Sequence, residues 1–196
     1  MILCFDTETT SIKPGQICQL AYTMQSGDCV KARNLFFTVD AMDYSAYKVH
    51  GFSLENLYNL SNGKRFADFF DIIEQDFNSA DLVVSHNTAF DFMFMRTEFE
   101  RLGKVFSPKR EFCTMKKSTP ICKLKRTSGV GYKYPKLSEL CEFFNISVNE
   151  IEKASIKIFG EKAGFHDARF DTTALFMCLN YAINFYDEYK GIKEFL

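Results

Sequence analysis

The chain begins with the apolar run Ile2-Leu3-Cys4-Phe5, which leads directly into Asp6-Thr7-Glu8-Thr9-Thr10. A short apolar run of this kind is expected to form a buried strand. Alternation along a strand then puts Asp6 and Glu8 on one face and Thr7 on the other. Two more acid-bearing segments lie far downstream, His86-Asn87-Thr88-Ala89-Phe90-Asp91 and His166-Asp167-Ala168-Arg169-Phe170-Asp171. Each sits beside an apolar element, at a strand end or a helix start. A fold that unites all three gathers strand ends and helix starts at one edge.

The remaining pattern predicts an α/β architecture. Residues 17–24 and 30–39 are strand-like, and the turn signal Ser26-Gly27-Asp28 makes them a hairpin. With residues 82–84 and 110–115 they give a mixed five-stranded sheet flanked by helices. Helices are expected over 44–49, 53–60 with Ser53 as N-cap, 90–102, 137–144 and 149–159. A longer one over 65–78 places Phe66, Phe69, Phe70, Ile73 and Phe77 on one face. The final helix is expected over 167–189, with Leu175, Leu179, Ala182 and Tyr186 along one side. Residues 116–135 lack periodicity and contain Pro120, Gly129, Gly131 and Pro135, so they are expected to be one long loop. No repeat or linker interrupts the 196 residues, which suit one domain.

Hydrophobic residues make up 46% of the chain, with 22 Phe, so a sizeable core can be buried. The seven cysteines include no C-x-x-C pair and sit mostly among apolar neighbours. They are expected to be small core residues in a reducing compartment, not zinc ligands. The start of the chain is too short and uncharged for a signal peptide, and no apolar run approaches the roughly 20 residues a membrane helix needs. A soluble cytoplasmic protein is expected, with no membrane partner.

Net charge is −1, so any affinity for nucleic acid must be local. One segment stands out. Lys116, Lys117, Lys123, Lys125, Arg126, Lys133 and Lys136 fall within 21 residues without an intervening acid, and the rest of the chain then carries −8. Tyr132 and Tyr134 are interleaved. A solvated loop accounts for such a run. So does a guide for a nucleic-acid strand, in which Lys123, Lys125 and Arg126 meet phosphates and aromatics stack on bases.

Taken singly, the acids have ordinary explanations. Asp91 in a first helical turn meets the helix dipole favourably. Asp167 suits an N-cap, and His166 alone is a plain loop histidine. Taken together they do not. Gathered carboxylates repel one another and resist ionising. Divalent cations reverse that cost, and hard ones prefer oxygen ligands. A histidine, with an ordinary pKa of about 6.5, can take a proton from water near neutral pH. The set points to magnesium- or manganese-dependent phosphodiester cleavage.

The order D-x-E, H-N-x-x-F-D and H-x(4)-D resembles the DEDDh exonucleases, the histidine branch of the DnaQ-like superfamily. That superfamily includes the proofreading subunit of bacterial replicative DNA polymerase. Lys48-Val49-His50-Gly51, Cys113-Thr114-Met115 and Leu137-Ser138-Glu139-Leu140 look familial too. The tyrosine branch would need Tyr at position 167, where this chain has Asp. The resemblance covers roughly residues 1–190, nearly the whole chain. It implies one ribonuclease-H-like exonuclease domain over 1–196, acting from the 3′ end and releasing nucleoside monophosphates, with DNA somewhat favoured over RNA. Asp6, Glu8, Asp91 and Asp171 would hold two Mg2+ or Mn2+ ions, and His166 would be the general base. Thr7, Thr9 and Thr10 would contact the terminal nucleotide, with His50 close to it and Asn87 bracing the site. His86 would be structural. Relatives of this kind form homodimers or associate with polymerases. The alternatives are a nucleic-acid-binding or polymerase-accessory module whose catalysis is vestigial, and an endonuclease of the same fold.

Overall fold

The computed structural model describes residues 1–196. Five strands form one sheet: β1 (Ile2–Thr9), β2 (Ile17–Ser26), β3 (Cys29–Phe36), β4 (Leu82–Ser85) and β5 (Glu111–Cys113), in the order β3-β2-β1-β4-β5. β2 runs antiparallel to β1 and to β3, whereas β4 is parallel to β1 and β5 parallel to β4. The sheet is therefore mixed, as the turn at Ser26 to Asp28 and the long spacer before Leu82 require. β1 is its centre, and Asp6 and Glu8 lie where β1 leaves the parallel half.

Eight α-helices accompany it: α1 (Tyr44–His50), α2 (Leu54–Ser61), α3 (Phe70–Ser79), α4 (Thr88–Arg101), α5 (Thr114–Cys122), α6 (Leu137–Phe143), α7 (Val148–Phe159) and α8 (Ala168–Phe185). Ser53 caps α2 by accepting from the Asn56 N–H. Alternation in β1 divides the core in two. Leu3 and Phe5 pack with Phe70, Ile73 and Phe77 of α3 and Phe92, Met95 and Phe99 of α4. Ile2 and Cys4 face the other way, onto Phe170, Ala174, Leu175 and Cys178 of α8. The even-numbered face of β1 thus belongs to α8, and Asp6 and Glu8 continue that face.

Three expected elements need correction. Residues 65–78 do not form one helix: a 3-10 helix over Phe66–Phe69 precedes α3. The Asp68 carboxylate accepts from the Arg65 N–H, which tightens that first turn. Residues 116–135 are not all loop, because α5 reaches Cys122 despite Pro120. Pro120 falls in the last turn, so the turns before it form and the helix ends two residues after it. The last helix stops at Phe185, not 189. Tyr186 is extended, and a 3-10 helix over Asp187–Phe195 follows. That break lets Tyr189 turn inward, where its hydroxyl lies 2.6 Å from Ser118 Oγ. No helix is long and apolar enough to cross a membrane.

Candidate active site

Side-chain oxygens of Asp6, Glu8 and Asp171 all lie within 4.8 Å of one another. Asp6 and Glu8 come from the end of β1, and Asp171 from the first turn of α8. The start of that helix is fixed from several directions. Asp167 is its N-cap and accepts from the Arg169 N–H at 3.0 Å. The Asp171 N–H returns to the Asp167 carbonyl at 3.1 Å. Thr172 Oγ1 donates to the Ala21 carbonyl of β2 at 3.0 Å.

Asp91 reaches the region from α4, on the opposite side of the sheet, and is buried. It stands outside the tight trio, and its Oδ1 accepts from Thr7 Oγ1 at 2.9 Å. The residue between the two β1 acids, pointing away from them, therefore anchors the fourth.

The electrostatics follow from this crowding. Burial, and then the charges of Asp91, Asp171 and Glu8, push Asp6 well above the usual carboxylate range. Burial, with Asp171 adding to it, raises Glu8 to about 8. Burial lifts Asp91 to about 7 against the Thr7 hydroxyl, and Asp171 to about 7 against the His166 N–H. At neutral pH the cluster cannot comfortably hold four charges by itself. Every donor is oxygen, the set a hard divalent cation prefers, so these residues fit magnesium or manganese.

Unfolded carboxylates ionise near their ordinary values, whereas these stay protonated in the folded chain until about pH 7 to 8. The folded state therefore binds more protons across that window, and stability falls as pH rises through it. In chelator, Tm is expected to be lower at about pH 8 than at about pH 5.5. Mn2+ at a hundred times its Kd should raise the pH 8 value by about 5–10 °C, and the lower-pH value by less. Scanning calorimetry reads both; a Tm that climbs with pH in chelator would contradict the cluster's electrostatics.

His166 occupies an exposed loop in the left-handed region, at φ 61°. Its backbone N–H donates to Asp171 Oδ2 at 3.1 Å. With Asp6, Asp171, His86, Lys136 and Phe165 it lines a cleft of about 540 Å³. The preceding loop is tied back by Arg169, which donates to Glu161 at 2.6 Å and pairs with Asp167 at 2.7 Å. Burial acts to raise the Asp167 carboxyl, but bonds from Arg169 and Gln19 outweigh it and hold it below the usual range.

His86 plays a different part. Its Nε2 is 2.9 Å from the Pro135 carbonyl, which can only accept. Nε2 therefore carries the proton, and Nδ1 accepts from Thr114 Oγ1 at 2.9 Å. Burial lowers its pKa to about 4, so it stays neutral. It ties β4 and α5 to the end of the basic segment.

The other sequence candidates are distributed as follows. The Thr9 hydroxyl donates to the Ser11 carbonyl at 2.9 Å, and the Thr10 hydroxyl accepts from the Gln16 N–H at 3.0 Å. With the Thr7 bond to Asp91, all three hydroxyls already have protein partners. Thr7 and Thr9 also line a second cleft of about 280 Å³ with Glu8, Val49, His50 and Phe90. His50 Nδ1 accepts from the Phe52 N–H at 3.0 Å, so its Nε2 proton faces the Thr9 carbonyl at 3.3 Å. Burial lowers its pKa. Asn87 takes a left-handed conformation, φ 92°, at the N-cap of α4 without a side-chain cap bond. Lys123 ends α5, Lys125 bridges to Tyr132, and Arg126 Nε donates to the Tyr132 carbonyl at 3.0 Å. The basic segment is thus a short folded-back arm rather than an open loop.

Two residues of the site carry no sequence motif. Lys136 was visible only as one more cation of the basic run, yet it lines the acidic cleft. Gln19 is fully buried opposite Glu8 and reaches the start of α8. Its one signal was an amide within the buried strand Ile17-Cys18-Gln19-Leu20-Ala21-Tyr22.

No family model matches the chain, and no curated protein matches it in sequence. Among solved structures it is similar to the metal-free form of the Escherichia coli ExoI–ssDNA complex, with a TM-score of 0.66 and 14% identity. The match covers 98% of this chain and 42% of that one, so the chain spans less than half the length of the ExoI chain. The likeness is one of fold, and it identifies the mixed five-stranded sheet with its flanking helices as ribonuclease-H-like.

Proposed function

We propose that this chain is a divalent-metal-dependent 3′-to-5′ exonuclease of the DEDDh type, releasing nucleoside monophosphates from nucleic-acid ends. The observation that carries the reading is the meeting of Asp6, Glu8 and Asp171 oxygens within 4.8 Å, beside a cleft that His166 also lines. The fold likeness to a protein solved in complex with single-stranded DNA supports DNA as the favoured substrate.

In this reading Asp6, Glu8, Asp91 and Asp171 hold Mg2+ or Mn2+ as a pair of ions. When bound, such ions polarise the phosphate and acidify water. The protein supplies the rest. Asp171 is held by the His166 main chain and by the capped start of α8, so the ligand and the base share one anchor. His166 accepts the proton of the attacking water from the cleft's exposed rim. Lys136 meets the phosphate across the same cleft. The second cleft, between Glu8 and His50, takes the terminal nucleoside against Val49, Phe90 and the β1 main chain. Asn87 braces the α4 start that carries Asp91.

The test is a 5′-labelled oligonucleotide, as DNA and as RNA, incubated with Mn2+ and resolved at single-nucleotide steps. A ladder shortening from the 3′ end, lost in chelator, is expected. Internal fragments would instead indicate an endonuclease. Binding without cleavage would indicate a vestigial module.

The basic arm gives a further expected result. Lys133 is ion-paired with Glu139, whereas Lys123 and Lys125 have no carboxylate partner and Arg126 bonds only a carbonyl. Replacing Lys123, Lys125 and Arg126 together by alanine should weaken single-strand binding. It should also flatten the log K versus log salt slope by about 2, at ~0.7 per lost phosphate contact. Fluorescence anisotropy at several salt concentrations reads this, and an unchanged slope would remove the arm from the interface.

A further inference from the structure

Gln19 is a fully buried amide on β2, directly opposite Glu8 in the strand register. Burying an amide is costly unless its hydrogen bonds are made. Here all are. Nε2 donates to Asp167 Oδ1 and to Asn34 Oδ1, both at 2.9 Å. Oε1 accepts from the Ala168 N–H at 3.0 Å. The partners fix which way the amide faces, because a carboxylate can only accept and a backbone N–H can only donate.

The location of these bonds matters more than their number. Asp167 is the N-cap of α8, and Ala168 is its first residue. The first N–H groups of a helix have no partner within the helix. Gln19 supplies one from the sheet and also grips the capping carboxylate. Four residues later the same helix presents Asp171, whose N–H bonds back to the Asp167 carbonyl. Asp171 Oδ2 in turn holds the His166 N–H. One amide thus connects the strand beside β1 to the helix start that positions both Asp171 and His166.

We infer that Gln19 is the positioning residue that sets the distance between Asp171 and the Asp6–Glu8 pair, and with it the affinity of the site for a divalent cation. It touches neither substrate nor the reacting atoms and acts through Asp167 and Ala168. The inference rests on the proposed metal site, but it can be tested without any cleavage. Groups that orient metal ligands from behind typically change affinity by about 10- to 100-fold when removed.

The chemistry excludes simple substitutes. Methionine at position 19 keeps the length but leaves the Ala168 N–H without its partner and removes one donor from Asp167 Oδ1, which Arg169 still bonds. Glutamate keeps the acceptor for Ala168 but meets Asp167 with a second negative charge. Asparagine keeps an amide at position 19 but is one methylene too short to reach both Asp167 and the Ala168 N–H.

The experiment is calorimetric titration of Mn2+ into the natural chain, Gln19→Met, Gln19→Glu and Gln19→Asn, without nucleic acid, with Tm recorded for each. Gln19→Met is expected to bind Mn2+ about tenfold or more weakly. Gln19→Glu is expected to weaken binding too, although added negative charge alone would tighten it. Gln19→Asn is expected to lose about tenfold as well. Natural affinity in folded Gln19→Met would overturn the role. If Gln19→Met fails to fold, Gln19→Asn decides it, and natural affinity there would overturn the role. Mn2+ binding in a natural chain that cleaves nothing would strike the exonuclease reading and leave this one standing. Absence of Mn2+ binding in the natural chain would overturn both.

Discussion

Asp171→Ala is expected to lower 3′-end hydrolysis by at least about a thousandfold while leaving the chain folded. The size follows from what the carboxylate does. It is one of three whose oxygens meet within 4.8 Å, and the only one of them on a helix rather than on β1. Removing it opens one side of the proposed cation site, and cation stabilisation of a phosphoryl transition state is worth several kcal/mol. At about 1.4 kcal/mol per tenfold, a loss of roughly 4 kcal/mol gives the thousandfold. Asp6→Ala should do the same from the strand side. The fold should survive because burial and its neighbours already hold these carboxyls above their ordinary pKa. Deleting one relieves repulsion, so the metal-free Tm at about pH 8 should stay level or rise. A variant that loses activity and also unfolds would mean that Asp171 supports the fold instead.

His166→Ala is expected to reduce kcat by about 10²–10⁴-fold, the usual range for a positioned general base. Mn2+ affinity should hardly change. The bond from position 166 to Asp171 is made by the backbone N–H, which alanine retains. The side chain is exposed, so Tm should move by no more than about 2 °C. Added imidazole should restore part of the lost rate. A full rate in His166→Ala would remove the histidine from the chemistry; a large fall in Mn2+ affinity would mean that it acts through Asp171.

How much was legible in the sequence depended on how local each signal was. The β1 pattern was strong because alternation alone separates Asp6 and Glu8 from Thr7. The hairpin was marked by Ser26-Gly27-Asp28, and α2 by its Ser53 cap. What failed was decided by distant contacts. The end of α8 is set by Tyr189 reaching Ser118, 71 residues earlier in the chain. α5 was hidden because Pro120 suggests a break, and the helix does end two residues after it. At the site, Asp167 was correctly placed as the cap of α8. The partner that holds that cap, Gln19, lies 148 residues away and belongs to no motif. Thr7 shows the same limit. Its direction was readable from the strand period, but its bond to Asp91 spans the sheet and 84 residues.

The most direct measurement is the anomalous difference map of a crystal grown in manganese. Mn2+ density is expected between the Asp6, Glu8 and Asp171 carboxylates, and is expected to be lost in crystals of Asp6→Ala. Well-ordered crystals with those three side chains in place and manganese only elsewhere, or nowhere, would contradict the proposed cation site.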